Sequence, residues 1–251
     1  MNAFETIIYE KKGGIAYITL NRPQALNAVN IKMRDELYEV LPAIEDDPEV
    51  MVGIFKGAGD RGFSAGADIT EFGTTPSQAI ARQVRWERDL WGQFLGVSKP
   101  LIAAIHGFAL GAGVEMSMCC DIRIASDDAR FGLPEVGLGM VPTAGGSQTM
   151  PRLVPLGMCT APILTGEIIN AAEALRIGLI NRIVTRANLF PAAEDMARKI
   201  MSRSQIAVRY AKQAINRGLD LRLEQGLEME RELFAMVLGT VGAGASTNPT
   251  S

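Results

Sequence analysis

Histidine occurs once in this sequence of 251 residues, as His106. Any catalytic triad built on an imidazole must therefore use that residue. Cysteine is also scarce, limited to Cys119, Cys120 and Cys159. Two of the three are adjacent, and the set matches neither a disulfide framework nor metal-ligand spacing. They read as buried thiols in a reducing compartment, which places the protein in the cytoplasm. There is no excess of positive charge. The 25 Lys and Arg face 28 Asp and Glu, the net charge is −3, and no basic block or stripe is present. That speaks against nucleic acid and anionic membrane as partners. The N-terminal stretch MNAFETIIYEKKGG lacks the basic start and apolar core of a signal peptide. One run, Leu101 to Cys120, has the length of a membrane span. Glu115 and the glycines at 107, 111 and 113 make it a poor one, and a buried strand and helix fit better.

Apolar residues are plentiful, at 47%. That supports one large domain, or one domain with a helical appendage. FETIIYEKKGGIAYITLNRP reads as two strands joined by a Lys-Gly-Gly turn. Asn30 can cap a helix with Met33, Leu37, Val40 and Leu41 on one face and Pro42 as a kink. VMVGIFKG is a continuous apolar strand, of the kind covered on both faces. A helix over about 77–95 carries Trp86, Leu90, Trp91 and Phe94 as a packing stripe. PLIAAIHG and DIRIAS are further strands, and GAGVEMSMCC starts a helix between them. Two more helices follow, with the strand LINRIV between them. The recurrence of strand, Gly loop and helix gives an α/β core over 1–187. Residues 188–238 read as all helical. The small, polar residues 239–251 read as a flexible tail.

Three motifs compete for the chemistry. Gly57 to Gly62, GAGDRG, matches G-x-G-x-x-G after a strand. A dinucleotide loop needs a helix opening on the third glycine and an acid about 20 residues on; here position 82 is arginine. Gly62 to Gly66, GFSAG, matches the nucleophile elbow, with Ser64 as nucleophile and His106 as its partner. No strand is expected to run directly into Ser64, and a lone histidine at a strand end is more often a packed residue.

The third constellation combines SAGADI (64–69), GFALGAGVEM (107–116) and FGLPEVGLGMVPTAGGSQ (131–148). Each of the first two loops can present a free backbone N–H, the second at a helix N-terminus that favours negative charge. Glu115 lies one turn into that helix, in an otherwise apolar run. A buried carboxylate is costly unless it is paired, protonated or used. Glu135 follows in a Pro-Glu loop. Two oxyanion donors and two carboxylates are the parts needed to stabilise an enolate and move protons. The alternative is that Glu115 caps its own helix and Glu135 is a solvated loop residue. Spacing alone leaves both readings open.

These blocks, together with NRPQALNAVN, IAAIHGFALGAGVEMSMCCDIRIAS and LTGEIINAAEALRIGLINRIV, resemble the enoyl-CoA hydratase/isomerase (crotonase) family from about Ile15 to Phe234. The resemblance implies a spiral of ββα units with a helical C-terminal trimerisation region, assembled as a homotrimer or homohexamer. It implies oxyanion donors at the backbone N–H of Ala67 and Ala112, and a catalytic pair in Glu115 and Glu135. A CoA-binding stretch would include Ala25, Ala65, Ala67, Asp68, Ile69 and Thr70. The implied activity is hydration of the 2,3 double bond of an acyl-CoA thioester. CoA is then part of the substrate and no further cofactor is needed. Family members that isomerise or hydrolyse CoA thioesters, or that bind RNA without catalysis, are the alternatives. Three departures stand out. Thr70 replaces a common lysine, Thr143 replaces a usual glycine, and GTVGAGASTNPTS replaces a charged helix with a basic end.

Overall fold

A computed structural model describes residues 4–73, 77 and 87–245, with side chains described up to residue 239. The expected hairpin is present. Strand β1 (Ile7–Lys12) pairs antiparallel with β2 (Ile15–Leu20). Gly13 and Gly14 turn between them at φ 57° and 82°, a conformation that glycine adopts without Cβ strain. Helix α1 (Ile31–Asp46) is capped by Asn30, whose side chain accepts the Met33 N–H at 2.9 Å. Its buried stripe is Met33, Leu37, Val40, Leu41 and Ile44, and Pro42 lies inside the helix without ending it. Of the expected helix over 77–95, residues 90–96 form α2 (Leu90–Gly96). Trp86 lies outside the described residues, while Phe94 packs on Phe55 with ring centroids 5.1 Å apart.

The main sheet runs β1-β2-β3-β5-β7-β10, with β3 (Val52–Gly57), β5 (Leu101–Ile105), β7 (Ile122–Ser126) and β10 (Arg182–Val184) all parallel to β2. Alternate residues point to opposite faces, and both faces are apolar. Ile15, Val52, Ile54, Ile102 and Ile124 meet Leu189, Ala193 and Ala197 of α7 (Leu189–Met201). Ala16, Ile18, Phe55, Ala103 and Ile105 join α1 and α2 in the larger core. This two-sided burial is why Val52 to Phe55 reads as an unbroken apolar run.

A second, four-stranded sheet was not anticipated. It runs β4 (Gly62–Ser64), β6 (Phe108–Leu110), β8 (Arg130–Gly132) and β9 (Ile169–Asn170). Strands this short, half of them glycine-bearing, give no readable alternation. Three of the main-sheet strands turn a corner into one of them: β3 into β4, β5 into β6 and β7 into β8. Thus β5, β6 and helix α3 (Ala112–Cys119) form one ββα unit, and β7, β8 and α4 (Gly146–Leu153) form the next. The corner at Gly107 has φ 50°, and a Cβ there would lie 2.3 Å from the Arg61 carbonyl oxygen. Only glycine fits that corner.

Helices α5 (Leu156–Thr165) and α6 (Ala171–Arg176) follow α4 before β10, so three helices stand where the sequence suggested one ahead of LINRIV. The C-terminal part is helical as expected, with α8 (Gln205–Gly218) and α9 (Leu223–Ala245) following α7. Helix α9 continues through Ala245, past position 239, where the tail was expected to begin.

Candidate active site

The glycine motif at 57–62 is a crossing between sheets. Gly62 opens strand β4 instead of a helix, and a Cβ on it would meet the Phe108 nitrogen and oxygen at 2.7 Å. The elbow motif is equally structural. Ser64 is fully buried; its hydroxyl donates to the Asn27 carbonyl at 2.8 Å and accepts the Gly66 N–H at 3.2 Å. The His106 Nε2 pairs with the Gly59 carbonyl at 3.0 Å, and burial lowers the pKa of the ring. The two side chains have no mutual hydrogen bond among those described.

The third constellation does converge. Gly111, at φ 49° and ψ −124°, turns the chain from β6 into α3, so that Ala112 opens the helix. An opening residue has no carbonyl four positions back within its helix, which leaves its N–H available. The SAGAD loop lies against this point. A Cβ on Gly66 would sit 3.3 Å from the Ala112 nitrogen and 2.8 Å from the Leu110 carbonyl oxygen. Glycine at 66, at φ 98°, therefore lets the two backbones approach. Next to it, Val29 bridges Ala67 in parallel fashion. The Val29 N–H donates to Gly66 and its carbonyl accepts from Asp68, at 2.7 and 3.0 Å. Those two bonds engage the neighbours of Ala67 and turn its own N–H to the other side. Among the described residues, no hydrogen bond engages the N–H of Ala67 or Ala112.

The two glutamates flank the same helix start in unlike settings. Glu115 is 2% exposed. Its Oε1 accepts the N–H groups of Ala144 at 3.0 Å and Gly146 at 2.7 Å. Gly146 opens α4, so the carboxylate caps a helix N-terminus where negative charge is favoured. It caps, then, but not its own helix. Glu135 lies in the turn Pro134–Leu138 and is half-buried, not solvated. One of its oxygens is at Gly111, where a Cβ would meet Oε1 at 2.9 Å. Its Oε2 is buried and has no hydrogen-bond partner among the described residues. Burial raises the pKa of this carboxyl, opposed by a hydrogen bond to its own backbone. One carboxylate is thus fixed as an acceptor from the first turn of α3, and a second carboxyl with a raised pKa lies against the glycine that precedes that helix.

The expected CoA stretch divides into two groups. Ala65 is tied to the residue after Ala25, its N–H donating to the Leu26 carbonyl at 2.9 Å. Ile69 and Thr70 are exposed beside them. The side chain of Asp68 is instead engaged within the protein. It receives Arg22 at 2.9 Å and the Thr70 hydroxyl at 2.7 Å. The threonine that replaces a common lysine thus donates to Asp68, which caps the turn Ile69–Glu71. Thr143 is exposed at the head of the strap that carries Ala144 to Glu115. An apolar cavity lined by Val114, Phe131, Leu133, Met150 and Leu179 contains none of these residues. It belongs to the packing around α3. Arg22, Gly66, Ala144 and Gly146 were missed as contributors to the site; the Gly145-Gly146 pair was the visible signal for the last two.

The sequence profile of the enoyl-CoA hydratase/isomerase family matches residues 10–241. A short-chain-enoyl-CoA hydratase of Clostridium acetobutylicum is 44% identical over 93% of this chain and 90% of its own. A crotonyl-CoA hydratase of Syntrophomonas wolfei is 40% identical over 95% of this chain and 92% of its own. The crystal structure of an enoyl-CoA hydratase from Bacillus anthracis superposes with a TM-score of 0.89 at 34% identity, covering 98% of both chains.

Proposed function

The chain belongs to the enoyl-CoA hydratase/isomerase family and is an enoyl-CoA hydratase, and we propose that Glu115, Glu135, Ala67 and Ala112 carry its chemistry. The observation that carries this reading is the unlike pair of carboxyls around the start of α3. One is held as an acceptor by two N–H groups; the other is buried, unpartnered on one oxygen and biased towards its protonated form.

The thioester oxygen of a 2-enoyl-CoA accepts from the N–H groups of Ala67 and Ala112. Those bonds strengthen as the oxygen gains enolate charge, so they lower the barrier beyond simple binding. Glu115 takes a proton from water as the water oxygen bonds to Cβ. The π electrons move towards the thioester, and Glu135 gives its proton to Cα as the enolate collapses. Glu115 ends protonated and Glu135 ionised, so one proton must pass back before the next turnover. The step is redox-neutral and its acid and base both come from this chain. CoA serves as a handle on the half-buried Ala25 and Ala65 and the exposed Ile69 and Thr70, and positions the acyl group.

Assembly as a homotrimer or homohexamer belongs to the same reading. Helices α8 and α9 and the turn between them leave Ile215, Leu219, Leu223, Leu227 and Phe234 exposed, Leu223 by 78%. An apolar face of that extent suits contact with further copies. Among the described residues no helix is long and apolar enough to cross a membrane. The three buried thiols fit a reducing compartment such as the cytoplasm.

The test is a panel of 2-enoyl- and 3-enoyl-CoA thioesters, followed by loss of the conjugated enoyl absorbance and by product analysis. A hydratase converts the 2-enoyl thioesters to 3-hydroxyacyl products. Double-bond migration without water uptake would assign the site to isomerisation, and release of free CoA to hydrolysis.

A further inference from the structure

The segment NRPQALNAVN has no part in the proton chemistry above, yet it holds an unusual backbone. Leu26 and Asn27, at φ 53° and 54°, are the non-glycine residues with positive φ among those described. Such conformations persist where surrounding bonds over-determine them, and they mark functional sites. Here the bonds are explicit. Asn27 is buried; its Oδ1 accepts the Arg22 N–H, and its Nδ2 donates to the carbonyls of Ala58 and Gly62. Its own carbonyl accepts the Ser64 hydroxyl, which in turn accepts the Gly66 N–H. Arg22 Nη1 donates both to the Ala28 carbonyl at 2.7 Å and to Asp68 at 2.9 Å.

The result is a clamp on either side of Ala67. Gly66 is tied through Ser64 and Val29, and Asp68 through Val29 and Arg22. Ala67 has only a methyl side chain and cannot orient itself. We infer that Arg22 is a positioning residue for hydration, which acts through Asp68 to set the direction of the Ala67 N–H at the thioester oxygen. This rests on the oxyanion reading proposed above. It moves Asp68 from the CoA-contacting residues to the support of the oxyanion hole. The ion pair suits that task, with side chains 18% and 12% exposed, so water competes weakly for either partner. The Thr70 hydroxyl, and then Arg22, hold the Asp68 carboxyl below its ordinary pKa, so the pair stays charged at neutral pH. One guanidinium group reaches a carbonyl and a carboxylate together, which joins the two loops rigidly.

The test compares the full-length wild type with Arg22→Gln, Arg22→Lys and Asp68→Asn. Four quantities are read: kcat, the Kd for CoA, the Tm, and the infrared stretch of a 13C-labelled thioester carbonyl on the bound substrate. In the wild type that band shifts to lower frequency on binding. Arg22→Gln is expected to return the band part of the way to its free position. It should also lower kcat by about 10-fold to 10²-fold, the scale of an ångström-level misplacement, with CoA affinity little changed. Arg22→Lys should recover part of both, and the Arg22→Gln/Asp68→Asn double variant should lose no more than the worse single one. A lowered Tm with band and kcat intact would reduce Arg22 to a scaffold residue and overturn the inference. Weakened CoA binding with the band intact would overturn it in favour of a CoA contact. Should Arg22→Gln fail to fold, Arg22→Lys and Asp68→Asn decide by the same readouts. An unshifted band in the wild type itself would instead refute the oxyanion hole, and the inference with it.

Discussion

Glu115 Oε1 accepts the N–H of Gly146 at 2.7 Å, and a Cβ on Gly146 would lie 2.9 Å from that same oxygen. The glycine that holds the carboxylate is therefore also the one residue type that fits beside it. Gly146→Ala would press on Glu115 Oε1, Glu115 Cγ and Pro142 Cβ at 2.9 to 3.1 Å. Alanine favours the helical backbone of α4, so the fold is expected to survive. We expect kcat to fall about 10-fold or more as the base is displaced, with CoA binding retained. Steady-state kinetics beside a CoA titration checks this. Unchanged kcat would show that the position of Glu115 does not matter to turnover.

Glu115→Gln and Glu135→Gln should each lower kcat by at least about 10²-fold, in the range of positioned acid–base groups. Single-turnover measurements at saturating substrate separate chemistry from binding. Near-normal turnover in either variant would remove that residue from the proton path.

Why these residues stand out in the sequence, while the groups around them do not, has a physical cause. Glu115 announced itself because one carboxylate in a long apolar run needs a reason. The hairpin, the Asn30 cap and the buried strands were readable because each rests on local pattern. The second sheet was not, since three of its strands have only three residues and the fourth has two. The partners of Glu115 were marked by nothing but the Gly145-Gly146 pair, because Ala144 and Gly146 contribute backbone N–H groups and not side chains. Arg22 and Asp68 are 46 positions apart, and only the folded loops bring them together. The reading of Glu135 as a solvated loop residue shows the same limit: a turn position carries no sequence mark of burial.

The raised pKa of Glu135 carries its own pH dependence. Its folded carboxyl binds a proton more tightly than the unfolded chain does, so its ionisation opposes folding. Below the unfolded pKa of about 4.3 both states are protonated and the group is neutral to stability. As pH rises through the window up to the folded value, stability is lost. Glu135→Gln should therefore raise the Tm at pH 7 and leave it little changed near pH 4. The activity of the wild type should decline on the alkaline side, above the ordinary carboxylate range, as the acid loses its proton. A Tm difference that is equal at both pH values would show that Glu135 does not titrate as described.

Light scattering at micromolar concentration should give the mass of three or six chains. Leu223→Glu and Phe234→Glu place charge on the exposed apolar face of α9 and should shift the mass downwards. A monomeric wild type would show that this face meets some other surface.

The oxyanion hole itself is a backbone device, so side-chain deletion cannot test it. Proline at 112 removes the N–H, but its ring carbon would occupy the place where the thioester oxygen lands. Replacing Ala112 by its α-hydroxy acid counterpart removes only the N–H and keeps the shape. The resulting ester also weakens the Gly111 carbonyl, which accepts the Glu115 N–H at 3.0 Å. A control therefore uses the same exchange at Val114, in the same first turn, where the N–H is likewise without an intrahelical partner. Both esters weaken one carbonyl of α3 to the same degree, but only the exchange at 112 removes a donor to the substrate. The 112 ester should lose about 10²-fold to 10³-fold in kcat, the measured scale for one oxyanion donor. The 114 ester should keep most of it, and both should bind CoA. Equal losses in the two proteins would trace the effect to a loosened helix, and would leave Ala112 with no part in stabilising the enolate.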